Sequence, residues 1–145
     1  MSIQAEAGLI LKLYELRRDD TMRKAREWYI REFFPESMED FNKTIFGPQS
    51  GYLRMVVTYW DMAAALVNNG AISAQLFNES NGEHFSVFGK IEPLLGEIIA
   101  AYGPQFAASL EKLIDATPDG RKRVAANRER FKAIRARLAA QAAKT

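Results

Sequence analysis

An all-α, single-domain bundle of seven or eight helices is the fold this sequence predicts, and three observations predict it. Apolar residues recur at three- and four-residue spacing through most of the chain. Gly and Pro fall between those stretches at intervals that suit helices, and Val, Ile and Thr never cluster in the alternating runs that favour strands. With 145 residues, 48% of them hydrophobic, there is material for one core and little room for two.

The first helix is expected from about Ser2 to Arg18, with Ile3, Ala7, Ile10 and Tyr14 beside Leu9, Leu13 and Leu16 as a broad apolar face. Asp19 or Asp20 should cap a second, from Thr21 to Phe34, stopped by Pro35 and facing the core with Met22, Ala25, Tyr29 and Phe33. Ser37 opens a short third helix through Phe41 and Ile45, closed by Phe46-Gly47-Pro48. The fourth, Gly51 to Asn69, is the predicted centre of the fold. Leu53, Val57, Trp60, Ala64 and Val67 form one apolar stripe on it, and Met55, Tyr59, Met62 and Leu66 form another. A helix apolar around most of its circumference packs between neighbours.

Asn69-Gly70 supplies a stop, because Gly tolerates the left-handed conformation that ends many helices. Ser73 can cap a short fifth helix, and Ser80-Asn81-Gly82-Glu83 has capping-box spacing for a sixth. Pro93 should kink or break that helix near Gly89 to Glu92, since its ring removes a backbone donor. Gly103-Pro104 resets the chain into a seventh helix, and Thr117-Pro118 reads as cap and first position of an eighth.

The net charge of +2 conceals a polarity. Residues 119–145 hold nine Lys or Arg against two acids, a net of +7, while the remainder holds 11 against 16, a net of −5. The chain therefore divides into a helical body, 1–118, and a basic amphipathic helix, 119–145, that packs on the body or on a partner. On this helix Val124, Phe131 and Leu138 recur every seven residues with Ile134 on the same flank, a spacing that suits pairing with a second copy or another protein. Its basic face, Arg121, Lys122, Arg123, Arg128, Arg130, Arg135 and Arg137, could instead contact nucleic-acid phosphates. Phe131 is the one aromatic there, and the heptad assigns it to packing. Docking on the acidic body with a solvated basic face is the plainer alternative.

Catalysis finds little support. The chain has no Cys, hence no disulfide, thiolate metal site or cysteine nucleophile, and nothing argues for an oxidising compartment. Its one histidine, His84, is the sole imidazole base available, and no nucleophile elbow, Walker loop or dinucleotide fingerprint is present. Glu79, Glu83 and His84 cluster in sequence, but position 81 is Asn, so the paired Glu-x-x-His set of a di-iron bundle is not available. No metal or cofactor is expected. Arg54, Thr58, Asp61, Ala65 and Asn68 share one face of the fourth helix, so Asp61, with Arg54 and Trp60, is a candidate ligand site. The competing reading is a polar stripe that faces solvent or pairs with a neighbouring helix. Neither a signal peptide nor a membrane span fits the amino-terminal residues, and a cytoplasmic protein is expected.

The run Tyr59-Trp60-Asp61-Met62-Ala63-Ala64-Ala65-Leu66-Val67-Asn68-Asn69-Gly70-Ala71-Ile72, followed by Leu76-Phe77 and Ile91-Glu92-Pro93-Leu94-Leu95, resembles a group of small bacterial helical proteins, the domain of unknown function DUF4760. The resemblance covers roughly residues 20–115 and leaves the basic helix outside. It implies a bacterial helical domain and brings no catalytic motif. The expected function is an interaction or regulatory module that self-associates, with nucleic-acid binding or a small-ligand site around Asp61 as alternatives.

Overall fold

Four helix starts are fixed by side-chain caps in the computed structural model, which describes residues 2–144. Ser2 caps α1 (Ile3–Arg17), Asp19 caps α2 (Asp20–Arg31), Ser37 caps α3 (Met38–Ile45) and Ser73 caps α5 (Ala74–Ser80), each accepting from the backbone N–H three residues on at 3.1–3.2 Å. Each such cap contributes about 1 kcal/mol. The remaining helices are α4 (Ser50–Asn68), α6 (Glu83–Ile91), α7 (Leu95–Tyr102), α8 (Ala108–Ala116) and α9 (Gly120–Ala143). A 3₁₀ turn at Glu92–Leu94 links α6 to α7, so the expected break at Pro93 divides one apolar stretch into two helices. Counted as one kinked helix, that segment brings the bundle to eight, and the described residues contain no strand.

The core is built around α4. Leu53, Val57, Trp60, Ala64 and Val67 are all buried, joined by Val56 and Ala63, with α2 packed on one side and α8 on another. The second predicted stripe is half-covered, and Met62 at its edge is exposed. Gly70 takes φ 85°, the left-handed stop expected after Asn69.

Four local expectations are corrected. The broad apolar face of α1 is not buried: Leu13 alone is, Leu9 and Ile10 are half-covered, and Ile3, Ala7, Tyr14 and Leu16 are exposed, because the body covers only the Leu9, Ile10, Leu13, Arg17 side of that helix. Helix α2 ends at Arg31 rather than Phe34. The residue before Pro35 disfavours helical backbone, and Phe33 instead turns inward to pack on Tyr29 and Trp28, with ring centroids 4.9 and 5.3 Å away. Ser80 does not cap α6, since it still belongs to α5 and its hydroxyl donates back to Leu76 O at 2.7 Å. Thr117-Pro118 does not open α9 either: Thr117 terminates α8, donating to Leu113 O at 2.7 Å, and α9 begins at Gly120 after Asp119 turns through φ 55°.

Candidate functional site

Helix α9 is held to the body through its first three turns. Val124 is wholly buried and meets Gly89 of α6 so closely that a Cβ added at Gly89 would stand 3.4 Å from Val124 Cγ1. Arg121 reaches three carboxylates at once. Its Nε donates to Asp115 Oδ1 at 2.6 Å, Nη1 to Glu92 Oε2 at 2.8 Å, and Nη2 to Glu111 Oε2 at 2.9 Å. That guanidinium holds the Asp115 carboxyl below the usual range, and the three acids in turn raise the Arg121 pKa, Asp115 most. Arg128 donates through Nε to Gly89 O at 2.9 Å and through Nη2 to Glu92. Arg123 lies over the Phe85 ring at 4.1 Å and Arg135 over Phe34 at 4.0 Å.

The seven basic residues thus divide. Arg121 and Arg128 are neutralised by the body, Arg123 and Arg135 stack on its aromatics, and Lys122, Arg130 and Arg137 stand on the exposed side. The predicted heptad divides too. Val124 is spent on the core and Phe131 is half-buried, while Ile134 and Leu138 are 52% and 60% exposed. From Lys132 to Lys144 every residue is exposed.

Lys90, which the sequence did not single out, closes the end of α2. Its ammonium donates to Tyr29 O at 2.6 Å and to Ile30 O and Phe33 O at 2.8 Å, and sits 3.8 Å from the Phe34 ring centroid. The orphan carbonyls that usually meet water or a glycine turn are taken by a side chain from another helix. Burial pushes the Lys90 pKa down to about 7, with Arg135 acting in the same direction. No sequence signal marked it, because its three acceptors are backbone atoms.

Arg54, Trp60 and Asp61 do not converge. Arg54 Nε donates to Ser50 O at 3.4 Å, and Trp60 is buried with Nε1 donating to Glu83 Oε2 at 3.0 Å. Asp61 Oδ1 accepts from Leu110 N at 2.8 Å in the first turn of α8. That helix follows Ala107 at the cap position, which has φ 51° and no side-chain oxygen, so Asp61 provides the missing cap from α4. Asn68 continues the same seam, donating to Ser109 O at 2.9 Å.

The Glu79–His84 segment holds a structural network. Glu83 accepts both arms of Arg26, at 2.9 and 3.0 Å, as well as the Trp60 indole, which is why it is unavailable to a capping box. His84 is fully buried among Phe85, Phe77 and Trp60, with ring centroids 4.2, 4.9 and 5.7 Å away. Its Nε2 pairs with Asn78 Oδ1 at 2.9 Å, while Nδ1 has no partner. Burial, with Arg123 nearby, lowers the His84 pKa to about 3. The unfolded chain therefore binds the extra proton between about pH 6.5 and 3, and stability falls as pH falls through that window. Urea denaturation should show about 1.4 kcal/mol lost per pH unit from this residue, and His84→Gln should flatten the profile. A wild-type profile already flat between pH 6 and 4 would contradict the assignment. No group of three His, Asp or Glu side chains able to hold a metal occurs among the described residues.

The family model of a domain of unknown function, DUF4760, matches residues 2–117, and the chain belongs to that family. The match takes in α1, beyond the stretch that carried the resemblance, and stops short of α9. No curated protein and no solved structure matches the chain. No helix among the described residues is long and apolar enough to cross a membrane.

Proposed function

We propose that this member of the DUF4760 family is an interaction module that self-associates, with the outlying half of α9 from one copy resting on the acidic body of another. The observation that carries this reading is the exposure of residues 132–144, which present Ile134 and Leu138 among Lys132, Arg137 and Lys144 and contain no acid. Pairing two α9 ends side by side would set like charges opposite one another. Resting each end on the partner's body, whose net charge is −5, removes that repulsion. One two-fold axis then makes both contacts, so the interface is self-complementary.

Absolute molar mass across a concentration series tests the arrangement. The wild type should be dimeric at low salt and dissociate as salt screens the contact. The double substitution Ile134→Glu, Leu138→Glu should be monomeric with unchanged helical content, since both side chains lie off the core. A wild type that stays monomeric at every concentration would overturn the reading. The basic face would then be free for nucleic acid, which would show as binding that collapses with added salt and weakens when Arg130 and Arg137 are replaced.

A further inference from the structure

A cleft of about 490 Å³ opens between the Phe34–Glu36 turn, α6 and α9. Its volume falls within the roughly 300–1,000 Å³ of small-molecule sites. The walls are apolar, formed by Phe34, Pro93, Leu94 and Phe131, and the surrounding charges are Lys90, Arg128, Lys132 and Arg135 against the single acid Glu36. Apolar walls beside a cationic mouth suit an occupant with both characters: a wholly polar anion would leave the walls wet, and a neutral apolar molecule would leave the Arg135 fork unused.

The donors differ in what they have left to give. All three Lys90 protons are committed to carbonyls, and two of the Arg128 nitrogens are committed to Gly89 and Glu92. The Arg135 side chain makes no hydrogen bond among the described residues, and its exposed pairing with Glu36 is 4.0 Å long, a contact worth little. Its guanidinium lies over Phe34 at 4.0 Å, so a fork suited to bidentate anion binding is held at the mouth with its N–H groups unused.

We propose that this cleft binds an amphipathic organic anion, a carboxylate or sulfonate on an aromatic or alkyl body, with its head on Arg135 and its body between Phe34 and Phe131. The family body supplies one wall and α9 the other, so the site exists only while α9 is docked.

The probe is anilinonaphthalene sulfonate, followed by fluorescence on the full chain, with decanoate and decanol as competitors of similar tail and different head. Saturable one-site binding is expected, displaced by decanoate and at least tenfold less well by decanol. Arg135→Gln should weaken decanoate about tenfold while decanol is unchanged, a head-group effect that a general loss of packing would not give. Phe131→Ala should weaken both. Should that variant lose its fold, Pro93→Trp, which fills the mouth from an exposed position, should block the probe instead. Equal competition by decanol, wild-type affinity in Arg135→Gln, or binding that does not saturate would each overturn the proposal. The Ile134→Ser, Leu138→Ser variant, which removes the apolar contact of the self-association without adding an acid beside Arg135, should bind the probe as the wild type does, and this separates the two sites.

Discussion

Replacing Lys90 by methionine should lower the free energy of unfolding by about 3 kcal/mol, the summed effect of leaving three part-buried carbonyls without a donor at about 1–3 kcal/mol each, reduced by whatever water enters. Methionine keeps the length and apolar stem of lysine, so the packing on Phe34 and Phe131 is largely retained and the change isolates the ammonium. The loss has a definite location. Tyr29 O and Ile30 O in the last turn of α2, and Phe33 O just beyond it, receive no bond from the following turn, because Pro35 offers no N–H and Phe33 N already turns back to Trp28 O at 3.2 Å. Lys90→Arg should not rescue, since a planar fork cannot point three donors at one converging set of carbonyls. Equilibrium denaturation in urea measures the effect, and a loss below about 1 kcal/mol would mean that these carbonyls are served by solvent.

The second large effect is expected at Gly120, the first residue of α9. A Cβ there would stand 1.9 Å from Ile114 O and 2.9 Å from Ile114 C. Both obstacles are backbone, so no side-chain rotation relieves the clash, and the junction between α8 and α9 must open. Gly120→Ala should therefore destabilise by about 3 kcal/mol or more, at the upper end of overpacking. The damage should be directional. Val124 and the Arg121 and Arg128 contacts depend on where α9 leaves Gly120, so the helix should lift from α6 while the body keeps its core. Thermal unfolding together with accessibility of a reporter at Val124 would reveal both. Gly8→Ala is the control: its Cβ would meet nothing within 4 Å on an exposed helix, and it should stabilise by about 0.5–1 kcal/mol. A Gly120→Ala protein as stable as the wild type would show that the junction has slack.

Features that depend on near neighbours in the chain were legible from sequence. The caps at Asp19, Ser37 and Ser73, the stop at Gly70, the break at Pro93 and the buried stripe of α4 follow from residues within a turn or two of one another. What failed depended on partners far away. Ser80 and Glu83 have the right spacing for a capping box, but Arg26, 57 residues before Glu83, competes for the carboxylate, and a charge-assisted pair outweighs a local turn bond. In α1 the apolar side chains are spaced for a core, yet periodicity reports only that they share a face and says nothing of how much neighbour arrives to cover it. For Asp61, helical geometry placed it on a polar stripe shared with Asn68. That the stripe meets the start of α8 needed the fold, because only there does the uncapped Ala107 turn appear. Lys90 was invisible for a similar reason: its three acceptors are backbone atoms, which carry no sequence signature.

Among the helix ends completed from elsewhere are the last turn of α2, by Lys90, and the first turn of α8, by Asp61. Neither helix can finish its own backbone hydrogen bonding before a segment about 50 to 60 residues distant has arrived. In kinetic terms these closures belong late in folding, after the loop entropy of bringing α6 to α2 and α8 to α4 has been met. Helices α3 and α5 carry a side-chain cap in their own sequence but are too short to persist alone, so they too, like α2 and α8, are consolidated by the core. A bundle that looks assembled from independent rods is in this respect a single cooperative unit, its secondary structure set in part by its tertiary contacts.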